Sequence, residues 1–126
     1  MSPTQAIQTV LRKYADFSGR ASRSEYWWWW GALLVTFIVI GGISAVIGDV
    51  GYVLATVIGL AVFIPNLAVT VRRLHDTGRS GWWLLIVFVP VIGAIILFVF
   101  MLLDSERKPN QWGTPPVGSA WAEPAA

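Results

Sequence analysis

The sequence predicts an all-α polytopic membrane protein with three transmembrane helices and a short N-terminal amphipathic interfacial helix. Composition is the first reason: of 126 residues, 56% are hydrophobic and only 13% charged, where soluble domains carry about 25% charged residues. The second is the placement of those charges. No charge occurs in the 23 residues between Glu25 and Asp49, the 22 between Asp49 and Arg72, or the 24 between Arg79 and Asp104. At about 1.5 Å of rise per helical residue, each stretch reaches roughly 33–36 Å, enough to cross a hydrocarbon core about 30 Å thick. The third is the tryptophan pattern, with Trp27, Trp28, Trp29 and Trp30 opening the first stretch and Trp82 and Trp83 opening the third. Amphipathic rings of this kind are favoured at the membrane–water interface.

The N-terminal helix starts at Ser2-Pro3-Thr4-Gln5, where Ser2 can cap, Gln5 can bond back and Pro3 suits the first helical position. Ile7, Val10, Leu11, Tyr14 and Phe17 then recur at helical spacing, with Arg12, Lys13 and Asp16 elsewhere on the helix. Such a stripe fits a helix lying in the headgroup layer and equally fits packing against the protein's own spans. Ser22-Arg23-Ser24-Glu25 reads as a second capping box opening the first span, residues 26–47, with Glu25 at the positive end of the helix. An apolar run above twenty residues behind a long N-terminal segment does not resemble a cleavable signal.

The second span, residues 52–71, contains Pro65, which removes an internal hydrogen bond. Membrane helices tolerate this where a neighbour satisfies the freed carbonyl. The third, residues 82–103, contains Pro90 and Gly93 and is read as a helix kinked near Pro90. The alternative is a re-entrant hairpin turning at Val91-Ile92-Gly93, which would return the C-terminus to the side it came from. Gly41/Ala45, Ser44/Gly48 and Ala55/Gly59 are small residues four apart that let helices approach closely. Residues 1–103 thus form one membrane domain. Residues 104–126 hold Pro109, Pro115, Pro116 and Pro124, a composition that suggests an extended or disordered tail.

Orientation follows from the cations. The N-terminal segment and the second loop share a side and hold Arg12, Lys13, Arg20, Arg23, Arg72, Arg73 and Arg79, whereas the first loop holds only Asp49. The positive-inside rule makes the richer side, with the N-terminus, cytoplasmic. Three full spans place the tail outside, against which Arg107 and Lys108 argue weakly.

One surface gathers chemistry: Arg20, Arg23, Glu25, Arg72, Arg73, His75, Asp76 and Arg79 lie at a single headgroup level. Anionic lipid is attracted by about 1 kcal/mol per basic residue there, while Glu25 and Asp76 can pair with arginines and fix how the first span packs. The chain has no Cys and a single His, which excludes disulfides, thiolate sites and two-histidine metal motifs. No metal, cofactor or nucleic-acid partner is expected. The six interfacial tryptophans read as anchors, since four in a row sweep about 300° around a helix and cannot face one pocket.

Several of these residues form longer motifs. Tyr14-Ala15-Asp16-Phe17-Ser18-Gly19-Arg20-Ala21-Ser22-Arg23-Ser24-Glu25-Tyr26-Trp27, Arg72-Arg73-Leu74-His75-Asp76-Thr77-Gly78-Arg79-Ser80-Gly81-Trp82-Trp83, Pro90-Val91-Ile92-Gly93 and Asn110-Gln111-Trp112-Gly113 are the blocks in question. Together they resemble the bacterial domain-of-unknown-function 805 family of small inner-membrane proteins, over roughly residues 14–116. In the last block Gln111 and Trp112 stand where that family carries arginine and tyrosine. The resemblance implies a bacterial cytoplasmic-membrane location and brings no established activity or catalytic residue.

The function expected is therefore a non-enzymatic membrane scaffold or a module binding lipid or a partner through its basic cytoplasmic face, alone or as a homo-oligomer. An oligomeric transporter or channel is the alternative, although no charged residue within a span marks an ion or proton route. A lipid-headgroup enzyme using His75 with Asp76 or Glu25 is the third possibility.

Overall fold

A computed structural model describes residues 1–122. They form α1 (Pro3–Arg12), α2 (Arg23–Ile47), α3 (Asp49–Asp76), a 3₁₀ helix (Gly81–Phe88) and α4 (Ile92–Leu102). No strand occurs among the described residues, where the only ladder-like pairing is an isolated bridge between Asn110 and Gly113.

The α1 capping box forms as its sequence dictates: the Gln5 amide donates to Ser2 Oγ at 3.2 Å, and the Ser2 amide donates to Gln5 Oε1 at 3.0 Å. The apolar stripe divides. Val10 is buried in a cluster with Tyr26, Trp29, Leu33, Val69, Leu74 and Met101, while Leu11, Tyr14 and Phe17 stay exposed. Packing against the chain's own helices thus takes one edge of α1.

Both α2 and α3 are long and apolar enough to cross a membrane. At about 1.5 Å per residue, the 28 residues of α3 reach roughly 42 Å. That exceeds a core of about 30 Å, so a charged last turn can stand clear of it. Gly48, at φ +72°, is the single residue joining the two helices. Just beyond it Gly51 lies so close to Ser44 that any Cβ would overlap the serine side chain. The tight approach falls there rather than at Gly41 or Gly59, which face open space. Pro65 sits inside α3 and leaves the Ala61 carbonyl without its i+4 amide. The Tyr14 hydroxyl, arriving from the end of α1, donates to that carbonyl.

The third apolar segment is not the kinked helix expected over residues 82–103 but two short arms. Eight residues of 3₁₀ helix at about 2.0 Å each and eleven of α-helix at about 1.5 Å each give arms of roughly 16 Å, half a bilayer core. The turn between them is sharp: the Ile92 amide donates to Pro90 O at 2.7 Å, with Val91 held at φ 64°. Pro90 has no N–H to continue a helix, and Gly93 lies against the Ile86 carbonyl, where a Cβ would overlap it. Both arms end at the same place. Gly81 abuts Val71 of α3, and Trp27 Nε1 donates to Met101 O at 3.1 Å, with Arg23 Nη1 reaching Leu102 O at 3.4 Å. The segment is a hairpin that enters and leaves at the charged end, so the tail lies there too and not at the far end.

The interior is inverted relative to a soluble globule. The apolar flanks of α2 and α3 face outward, as at Val46 (86% exposed) and Leu60 (73%), whereas charged residues are buried at one end. The six tryptophans divide by this geometry. Trp29 is buried and donates to Asn66 Oδ1 at 2.7 Å, and Trp27 packs edge-on to Phe98. Trp28, Trp30, Trp82 and Trp83 remain exposed.

Candidate functional site

The C-terminal end of α3 carries Arg72, Arg73, His75 and Asp76 on a helix end where cations are favoured by the backbone dipole. The α1–α2 loop brings Arg20, α2 brings Glu25 in its first turn, and the chain leaving α4 brings Ser105. Asp76 is the hub. Its Oδ1 accepts from Arg20 Nε at 3.0 Å, and its Oδ2 accepts from both Arg73 Nη1 and the Ser105 hydroxyl. All four side chains are almost fully buried.

Every N–H of Arg20 has a partner. Beyond Asp76 Oδ1, they donate to the carbonyls of Lys108 (3.1 Å), Gly113 (3.2 Å), Glu106 (2.8 Å) and Asp76 (3.3 Å). One guanidinium thus collects the α1–α2 loop, the end of α3 and the tail. Arg73 adds the Ala21 carbonyl at 3.4 Å and the Leu103 carbonyl.

Glu25 pairs separately with Arg72 at 2.7 Å. The second capping box is consequently only half formed: Ser22 Oγ accepts from the Glu25 amide at 3.2 Å, but the carboxylate turns to Arg72 instead of back to the cap. His75 Nδ1 donates to Gly19 O at 2.9 Å, and its ring stacks on Trp112 with centroids 4.5 Å apart and planes 4° from parallel. Asn110 Nδ2 closes the far side through His75 O at 2.9 Å and Glu106 Oε2 at 3.2 Å. In the adjoining loop, the Ser18 hydroxyl and amide hold the Asp16 carboxyl below the usual carboxylate range.

The eight residues gathered by sequence do share one end of the molecule, but the fold divides them. Arg20, Glu25, Arg72, Arg73, His75 and Asp76 are buried and mutually engaged. Arg23 stays exposed, 3.5 Å from Asp104. Arg79 is half-buried, its guanidinium 4.1 Å from the Phe100 ring centroid, a cation–π arrangement. Three of the nine cations thus form an internal ion network, while Arg12, Lys13, Arg23, Arg79, Arg107 and Lys108 remain at least partly exposed around it.

The network is charge-unbalanced. Three guanidinium groups face two carboxylates, and Arg72 Nε, Arg72 Nη2 and Arg73 Nε have no hydrogen-bond partner among the described residues. Residues the sequence reading did not assign to the site are Ser105, Glu106, Asn110 and Trp112, with the Gly19 and Gly113 carbonyls. The Asn110-Gln111-Trp112-Gly113 block is the visible signal for Asn110, Trp112 and Gly113, and the 14–27 block for Gly19, whereas no motif marks Ser105 or Glu106. The place of Trp112 over His75 depends on the hairpin bringing the tail back. No group of acids and histidines suited to a metal ion occurs among the described residues.

Comparison with known proteins finds relatives over most of the chain. The chain is 41% identical over 108 residues to the inner membrane protein YhaI of Escherichia coli strain K12, covering 86% of this chain and 92% of that one. It is 38% identical over 111 residues to the inner membrane protein YhaH of the same strain, covering 85% and 92%. No solved structure matches. The profile of a family described as proteins of unknown function, DUF805, matches residues 14–114, a range that includes the hub, the hairpin and the tail clamp. The chain belongs to the DUF805 family.

Proposed function

We propose that this protein is a multi-pass protein of the bacterial cytoplasmic membrane and a non-enzymatic scaffold, its charged end forming a cytoplasmic platform for lipid headgroups or a partner. Two apolar helices anchor it, and the hairpin occupies the cytoplasmic half of the bilayer. Orientation is supported by charge: all nine Lys and Arg lie at the hub end, Asp49 alone marking the other. The hairpin brings Arg107 and Lys108 to that end as well, removing the objection they raised to an outer tail.

The observation that carries the reading is the Asp76 hub, which ties loop, span and tail into one rigid surface. The same engagement speaks against acid–base chemistry at Asp76, whose carboxylate is held by two arginines and a serine. A general base needs its acceptor atom within reach of a substrate proton.

Native mass spectrometry of protein released from nanodiscs tests this reading. Retention of phosphatidylglycerol over phosphatidylcholine, weakening as salt rises, is the expected result. Equal retention of both lipids contradicts a basic headgroup platform.

A further inference from the structure

The buried network does not absorb Arg12 and Lys13. These two residues, with Arg20, line a cavity of about 510 Å³ between the end of α1, the α1–α2 loop and the tail near Trp112, Thr114 and Pro115. Its size falls in the range of small-molecule sites. Its charge is one-sided. Among the described residues, Glu25 is the only carboxylate on the wall, and that group is already paired with Arg72 at 2.7 Å. Behind this pair, the fully buried Arg72 keeps Nε and Nη2 without partners. Buried donors of this kind call for a specific explanation.

Arg20 adds charge but no free donor, since its N–H groups are all engaged. Among the described residues, free donors come from Lys13, which makes no side-chain hydrogen bond, and from Arg12, whose one side-chain bond is to Thr9 Oγ1 at 3.3 Å. Trp112 and Pro115 give the opposite wall an apolar character. Two cations lining a cavity with an apolar part suit an anion that carries a small organic body.

We propose that this cavity binds a phosphate ester, with Arg12 and Lys13 taking the phosphoryl oxygens and Trp112 and Pro115 packing on its carbon skeleton. The proposal rests on the reading of the charged end as a binding platform and assigns that platform a ligand chemistry. A phosphate ester is present both in a soluble metabolite, as a monoester, and in a glycerophospholipid headgroup, as a diester. Glycerol 3-phosphate titrated into detergent-solubilised protein and phosphatidylglycerol in nanodiscs separate the two sources.

The test compares the wild type with R12A/K13A, with T114W, which fills the cavity without changing its charge, and with R107Q/K108Q, which removes two cations elsewhere. At about fivefold per cation, R12A/K13A is expected to bind roughly 30-fold more weakly. T114W is expected to lose binding, and R107Q/K108Q to keep it within about twofold for glycerol 3-phosphate. Binding of glycerol 3-phosphate supports a soluble ligand; binding of phosphatidylglycerol alone supports a headgroup. Wild-type binding in both R12A/K13A and T114W overturns the cavity while leaving the platform standing, as does an equal loss in R12A/K13A and R107Q/K108Q. Absence of any preference for either phosphate ester in the wild type overturns both readings.

Discussion

At the scale of single residues, Asp76 decides whether three chain segments meet. Its carboxylate neutralises Arg20 and Arg73 where water is excluded, and removing one member of a buried pair strands the others at a cost of about 3–5 kcal/mol. Asp76→Ala is therefore expected to lower thermal stability in detergent by that amount, whereas Arg23→Ala, at an exposed pair, shifts it by less than about 1 kcal/mol. Equal effects in the two variants would contradict the hub. The sequence made this cluster legible as a level in the membrane, because apolar spans force charges to their ends. Which charges turn inward was not legible. Glu25 sits in the right place both to cap α2 and to meet Arg72, and only the packing of α2 on α3 selects the arginine.

At the scale of elements, two prolines are handled in opposite ways. Pro65 leaves α3 continuous because Tyr14 satisfies the Ala61 carbonyl. Tyr14→Phe is expected to cost about 1–2 kcal/mol in the wild type. In a Pro65→Ala background, where residue 65 again donates its N–H, the cost should nearly vanish. A double-mutant cycle of melting in detergent measures this coupling, and additive effects would show that the tyrosine serves another purpose. Pro90, by contrast, sits in a turn with Val91 at positive φ and Gly93 against Ile86. A β-branched residue at that φ is strained by about 1–3 kcal/mol. Val91→Gly should thus leave melting unchanged or raise it, while Gly93→Ala should lower it by roughly 3 kcal/mol, the upper end of ordinary substitutions. Sequence patterning could not choose between kink and hairpin here. Twenty-four uncharged residues satisfy the bilayer equally as one crossing or as two half-depth arms, and Pro90 with Gly93 permits either.

At the scale of the whole molecule, the hairpin leaves two helices long and apolar enough to cross a membrane, and brings both ends of the third apolar stretch to a single charged end. Arg20 then clamps the returning tail through three carbonyls, and Trp112 covers His75. The Pro-rich composition of residues 104–126 suggested an extended or disordered tail, yet residues 105–113 are tied into the hub by backbone groups whose partners no composition reveals. Since the chain has no native cysteine, topology is directly measurable with single cysteines and a membrane-impermeant maleimide on intact cells. Asp49→Cys should label from outside, and Lys13→Cys and Lys108→Cys should stay protected until the membrane is permeabilised. Labelling of Lys108→Cys in intact cells would mean that the third segment crosses the membrane, and would contradict the hairpin and the hub that depends on it.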